Sequence, residues 1–300
     1  MDARNIVGIT RVSDIRDHQS IREVFRTLLD TLSDAGIIRI PTNARVMIKP
    51  NICLVRGYET GATVDPFLVE CLIEWLIDHY SIQEITIGES DATMLNIDIA
   101  FKALGWERMA QKFAKVSLLN LSRDTMADIP LKGEFFHELK MSKTYMESDF
   151  LISFAKLKTH TFTTITCTMK NLFGANPVKY KAQYHHDINK VICDLTMVRK
   201  PDLCLVDGII AMEGDGPVAG EPKPAGLILA GNDVVATDHA CARVMGFNPK
   251  RVDHLVLARK RGIGSFTYEV LGHQIEDVTQ QFKFVPFAKQ VLMRTLKGIS

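Results

Sequence analysis

The sequence is poor in the short signatures that announce a chemistry. No C-x-x-C pair occurs among its six cysteines (Cys53, Cys71, Cys167, Cys193, Cys204 and Cys241), so no zinc knuckle and no iron–sulfur cluster motif is written in it. Walker and G-x-G-x-x-G phosphate loops are missing, and no nucleophile elbow supports Ser/His/Asp catalysis. No apolar run reaches about 18 residues, and no charged-then-apolar leader precedes a cleavage site, so the expected setting is cytoplasmic and reducing. Charge of one sign is not in excess either. Thirty-six Lys and Arg face 35 Asp and Glu, a net charge of +1, which speaks against a broad nucleic-acid surface.

What is present is an ordinary globular composition, 46% apolar and 24% charged over 300 residues, with ample chain to bury a core. Arg45–Ile48 reads as a strand. Asp65-Pro66 reads as a helix start, with Asp at the N-cap and Pro in the first turn, and the helix runs to about His79. Glu84–Ile87 is the next strand. Strand, helix, strand is a βαβ unit, and it predicts an α/β fold with a mostly parallel sheet flanked by helices. Further strands are expected at Val116–Leu121, Phe150–Phe154, Leu203–Val206 and Ala225–Gly231, with helices at Asp187–Val198, Asp233–Met245 and Val252–Arg261. Gly214–Pro224 is rich in Gly and Pro and reads as loop. The core spans residues 1–275, as one body or as two lobes (about 1–147 and 148–275) with a cleft between them. Residues 276–300 read as a basic amphipathic helix, packed on its own domain or lying on a membrane or a partner through 282–300.

Against the neutral background, Phe150–His186 contains no Asp or Glu but five lysines and three histidines. Such a local excess of positive charge attracts an anion. In open α/β sheets, ligands bind beyond the carboxyl ends of the strands. The polar residues expected there are Lys49 and Asn51, Glu89 and Asp91, then Lys156, Lys158, Thr159 and His160, then Lys170 and Asn171, and finally Asp207 and Glu213. If these ends converge, cations line one wall and carboxylates the other. Lys49, Asn51, Lys156, Thr159, Lys170 and Asn171 are the candidate substrate-binding residues, helped by backbone N–H groups of the loop at Gly214 and Gly216. Glu89, Asp91, Asp207 and Glu213 are the candidate ligands of a divalent metal. Neighbouring ammonium groups would keep His160 neutral at pH 7, so His160 and Lys158 are the candidate catalytic pair. Each has a plainer reading: Asp91 as a cap, Asp207-Gly208 as a turn, His185-His186 as surface residues in a loop, and Asp238-His239 as the polar face of a helix start.

Several segments in order carry a resemblance. They are Ile48-Lys49-Pro50-Asn51, Thr63-Val64-Asp65-Pro66, Ile87-Gly88-Glu89-Ser90, Lys156-Leu157-Lys158-Thr159-His160, Met169–Gly174, Asp207-Gly208, Met212–Pro217 and Asp233–Asp238. Across roughly Arg45–Gly264 the sequence resembles the domain-of-unknown-function family 362. Many members of that family also carry a ferredoxin-like four-cysteine segment; its absence here counts against an electron-transfer role. In architecture alone the chain is similar to the nickel-pincer lactate racemase family, which would imply an isomerase or epimerase with a ligand in a cleft. No residue is carried over from that family. The expected function is an enzyme acting on a small phosphorylated or carboxylated substrate by acid/base chemistry, with or without a divalent metal. Two alternatives stand beside it: a non-catalytic scaffold using the basic tail on a partner or membrane surface, and a redox protein.

Overall fold

Strands form where β-branched and apolar residues cluster between turn signals, and the computed structural model, which describes residues 4–284, joins them into one mixed sheet. The strands are β1 (Ile6–Arg11), β2 (Ala44–Pro50), β3 (Ile82–Glu89), β4 (Val116–Asn120), β5 (Met126–Pro130), β6 (Glu138–Ser142), β7 (Phe150–His160), β8 (Thr164–Thr166), β9 (Leu203–Glu213), β10 (Glu221–Gly231) and β11 (Glu269–Gly272). The main sheet runs β11-β1-β10-β9-β7-β2-β3-β4, with β8 paired to β7; β5 and β6 form a separate hairpin. From β9 through β4 the neighbours are parallel, while β10 is antiparallel to both β9 and β1. The fold is therefore α/β with a mostly parallel sheet. β7 and β2 are hydrogen-bonded neighbours, so the sheet runs unbroken across the 147/148 boundary of the two expected lobes.

Successive residues of a strand face opposite sides, and β7 shows it. Phe150, Ile152 and Phe154 enter the core that holds Phe25 and Leu29 of helix His18–Asp34 and Leu72 and Leu76 of helix Pro66–His79. Leu151, Ala155 and Leu157 enter the other core, with Val191 of helix Ile188–Val198, Ala236 of helix Val234–Val244 and Leu255 of helix Asp253–Lys260. Both faces are covered, as parallel sheets require. The helix start expected at Asp65-Pro66 forms as predicted: Asp65 Oδ1 accepts the Phe67 N–H at 2.9 Å.

Four expectations need correction. β7 does not stop at Phe154 but continues to His160, so Lys156, Lys158 and Thr159 are strand residues. β9 likewise runs past Asp207-Gly208 to Glu213. Its antiparallel partner β10 begins at Glu221, inside the stretch expected to be loop, and tolerates Pro222 and Pro224 because β1 pairs only with Leu227–Gly231, which leaves this end of β10 an edge on that side. In the tail, residues 279–284 are not helical; Phe282 is buried and the Lys283 N–H donates to Glu213 at 3.1 Å. The remainder of the expected amphipathic helix lies outside the described residues.

Candidate functional site

From β2 the chain moves one way along the sheet to β3 and β4; from β7 it moves the other way to β9. The order thus reverses between β2 and β7, and the crevice at the carboxyl ends of strands flanking such a reversal is where α/β sheets hold ligands. A cavity of about 290 Å³ opens there. Its lining includes Asn51 beyond β2, Glu89 at the end of β3, and Lys158 and His160 at the end of β7.

The alternation of β7 turns the face that began as Phe150, Ile152 and Phe154 into Lys156, Lys158 and His160. The buried Lys158 ammonium donates to Ala62 O at 2.6 Å and lies 3.3 Å from Cys53 Sγ. His160 Nδ1 accepts the Phe162 N–H at 3.2 Å. In the neutral ring this bond assigns the proton to Nε2, making His160 a donor there. Burial, then the charges of Lys170 and Lys158, push its pKa well below the ordinary histidine range.

Helix Thr168–Leu172 carries Lys170 and Asn171 to the cavity. Its first turn is held by Asp238, which is buried and accepts Thr168 N at 2.7 Å, Thr168 Oγ1 at 2.5 Å and Met169 N at 2.9 Å. Expected as part of the polar face of a helix start, Asp238 is instead buried and caps a second helix. Lys170 Nζ sits 4.2 Å from the centre of the Phe173 ring and has no hydrogen-bond or ion-pair partner among the described residues. Burial and the neighbouring Lys158 lower its pKa to about 7. A third ammonium, Lys181, donates to Ser90 Oγ at 2.9 Å and to Asp91 O, and burial lowers it to about 8. Two buried side-chain oxygens on the lining, Asn51 Oδ1 and Thr166 Oγ1, have no partner among the described residues. Buried polar groups are nearly always paired, so orphans facing a cavity point to a ligand or ordered water.

The expected residues divide sharply. Lys158, His160, Lys170, Asn51 and Asn171 come together in the cavity lining. Asn171 is an internal hub: its Nδ2 donates to Lys49 O at 2.8 Å and Ser153 Oγ at 3.1 Å, and its Oδ1 accepts from Asn51 Nδ2 at 3.2 Å. Lys49 and Lys156 are not on the lining. Lys49 Nζ is bonded to Glu89 Oε2 at 2.6 Å, and Lys156 Nζ to Asp207 Oδ2 at 2.6 Å, both fully buried. The cationic and acidic walls expected to face each other across a cleft are instead, in these two places, closed ion pairs. Thr159 Oγ1 donates to Gly214 O at 3.1 Å and Gly216 O accepts from Thr161, so that loop packs on β7 through its carbonyls. Asp91 Oδ1 accepts Ile97 N at 2.9 Å, and Glu213 pairs with Lys223 at 3.0 Å. Glu89, Asp91, Asp207 and Glu213 therefore do not converge, and no group of three His, Cys, Asp or Glu side chains suited to a metal occurs among the described residues.

Sequence reasoning missed Lys181, His185, Cys53 and Thr166, all on the lining. The acid-free window contained three of them, but His185, tilted against Phe162 at 4.7 Å, reads as a loop residue until the fold brings it back.

The segment that builds this site matches a family described as a domain of unknown function, DUF362, over residues 46–243. The chain belongs to that family. Every cavity group named above lies inside the DUF362 match. The thylakoid-associated protein sll1697 of Synechocystis sp. is similar to the chain, 33% identical over 161 residues. That similarity covers 50% of this DUF362 chain and 50% of the relative, so it spans about half of the curated protein it matches. Neither comparison carries the likeness to the nickel-pincer lactate racemase family.

Proposed function

We propose that the cavity binds a small organic anion, carboxylated or phosphorylated, and performs proton-transfer chemistry on it, as an isomerase or epimerase would. The observation that carries this reading is the charge balance of the lining. Lys158, Lys170 and Lys181 converge on it, while among the described residues its one carboxylate, Glu89, is already matched by Lys49. A recessed cationic site of this kind favours an anion more than the open surface does. Ile52, Leu95, Phe162 and Phe173 supply apolar wall, so the anion has an apolar part of metabolite size. His160 Nε2–H is a neutral donor for a substrate oxygen, a role in which it polarises without adding charge.

The test is calorimetric titration with a panel of short carboxylates and phosphate monoesters. Lys158→Met should weaken the best binder about 10–100-fold, the worth of a hydrogen bond to a charged group. The affinity should fall as pH rises through 7–8, because Lys170 at about 7 and Lys181 at about 8 lose their charge there. Affinity that stays flat between about pH 6 and pH 9 overturns the reading.

A second reading concerns location and is favoured by the name of the thylakoid-associated relative. Residues 285–300 carry Phe287, Val291, Leu292 and Leu296 with Lys289, Arg294 and Lys297 and no acid, a composition suited to an anionic membrane surface. Among the described residues no helix is long and apolar enough to cross a membrane. Truncation after Phe284, which spares the buried Phe282, should abolish co-sedimentation with anionic vesicles and leave ligand binding in the cavity unchanged. Vesicle binding that survives truncation removes the tail from this role.

A further inference from the structure

The three cavity lysines are not equivalent. Lys158 is fixed by Ala62 O and lies against Cys53, and Lys181 is fixed by Ser90 Oγ and Asp91 O. Each ammonium has two bonds of this kind and one N–H left for a ligand, which suits them to act as stationary charges. Lys170 differs: its Nζ rests on the Phe173 ring with no hydrogen-bonding partner among the described residues. Its backbone is held by the Asp238 cap two residues earlier. A rigidly placed amine, flanked by two other cations and an aromatic face, is in the environment that activates lysine as a nucleophile towards carbonyl carbon.

Resting on the anion-binding reading above, we propose that the ligand is a small oxo acid and that Lys170 joins its carbonyl carbon as an imine. Lys158 and Lys181 hold the carboxylate. The Lys170 nitrogen lone pair forms the new C–N bond while the carbonyl π pair moves to oxygen. The two amine protons pass to that oxygen in turn, and it leaves as water. One amine and one carbonyl thus give one imine and one water, with no oxidant or reductant. Asn51 Oδ1 and Thr166 Oγ1, unpartnered on the same lining, and the His160 Nε2–H are available to the carbinolamine hydroxyl and the departing water. The pKa of Lys170, about 7, leaves a large fraction of it as free amine at neutral pH.

The full-length protein should be incubated with pyruvate and sodium cyanoborohydride, and the product mapped by peptide mass spectrometry. The expected result is one reduced adduct per chain on the peptide containing Lys170, and its loss in Lys170→Arg. Mapping on the unaltered chain decides the matter even if the variant folds poorly. Calorimetry with pyruvate and with lactate, which has the same carboxylate but no carbonyl, separates the two readings. Binding of both acids without an adduct at Lys170 overturns the imine and leaves the anion site standing. Binding of neither acid, with no adduct, removes both. Adducts spread evenly over exposed lysines also overturn the imine.

Discussion

Glu89→Gln should destabilise the protein by about 3–5 kcal/mol, read as a lower urea midpoint at unchanged slope. Glu89 stands at the end of β3 and Lys49 near the end of the adjacent β2, and their side chains meet at 2.6 Å in a region with almost no solvent access. Glu89 also accepts the Ser90 and Ile52 N–H groups, at 2.9 and 3.3 Å. Gly174 closes over the pair: a Cβ there would stand 2.7 Å from Glu89 Oε1 and 2.8 Å from Lys49 Nζ. Replacing the carboxylate by an amide leaves the Lys49 ammonium with neutral acceptors alone, the new amide oxygen beside Pro50 O at 2.9 Å and Asn171 Oδ1 at 3.3 Å, and with no countercharge. Burial already pulls the Lys49 pKa below its ordinary 10.5, and Glu89 is the main group opposing that. The escape is loss of the proton, and taking a lysine from 10.5 to neutrality at pH 7 costs about 5 kcal/mol, which caps the penalty. The deficit should therefore shrink as pH is raised towards 10. The double variant Lys49→Met, Glu89→Leu should lose less than the single one, because no unpaired charge is buried. A single variant as stable as the wild type would mean that the ammonium finds water after all.

The second large effect is on acid stability. His254 lies in helix Asp253–Lys260, fully buried, with neither ring nitrogen hydrogen-bonded among the described residues. Burial, then the charge of Lys170, lowers its pKa from 6.5 to about 3. The folded state thus resists a proton that the unfolded chain accepts. Stability from this residue is fully present above about pH 6.5 and is lost as pH falls towards 3, by up to about 1.4 kcal/mol per unit. His160, also depressed by burial, acts in the same direction. Asp65, raised to about 6 by burial and Asp207, and Asp238, raised to about 7 by burial, act in the opposite one. The total acid profile is therefore a compromise, and the difference between two proteins isolates His254. The stability of His254→Phe minus that of wild type should grow from near zero at pH 7 to about 3 kcal/mol at pH 4. Parallel curves over that range would show that His254 reaches water or a partner in solution.

The local parts of the fold were legible because they are written by neighbours in sequence. Asp65 caps and Pro66 opens a helix because one side-chain oxygen and one fixed φ act within a single turn. The strand at Phe150–Phe154 announces itself by an apolar run. Its extension was also readable, since Lys156-Leu157-Lys158-Thr159-His160 alternates as a strand does, with Leu157 turned into one core while the lysines and His160 take the other face. The expected strand ends at Phe154 nonetheless, since buried cations in mid-strand are rare.

The sequence by itself determined the α/β class, the strands that carry the site, and the acid-free stretch from which Lys158, His160, Lys170 and Lys181 come. Which lysines remain available to a ligand was decided only in three dimensions. Glu89 is 40 residues from Lys49, and Asp207 is 51 residues from Lys156. Each meets its lysine because parallel pairing sets β3 beside β2 and β9 beside β7. An ion pair forms or fails over a few ångströms, and strand order, which local periodicity does not encode, sets those ångströms. Lys49 and Lys156 are neutralised by it. Lys170, raised on a capped turn against Phe173, has no carboxylate partner among the described residues and is left facing the cavity.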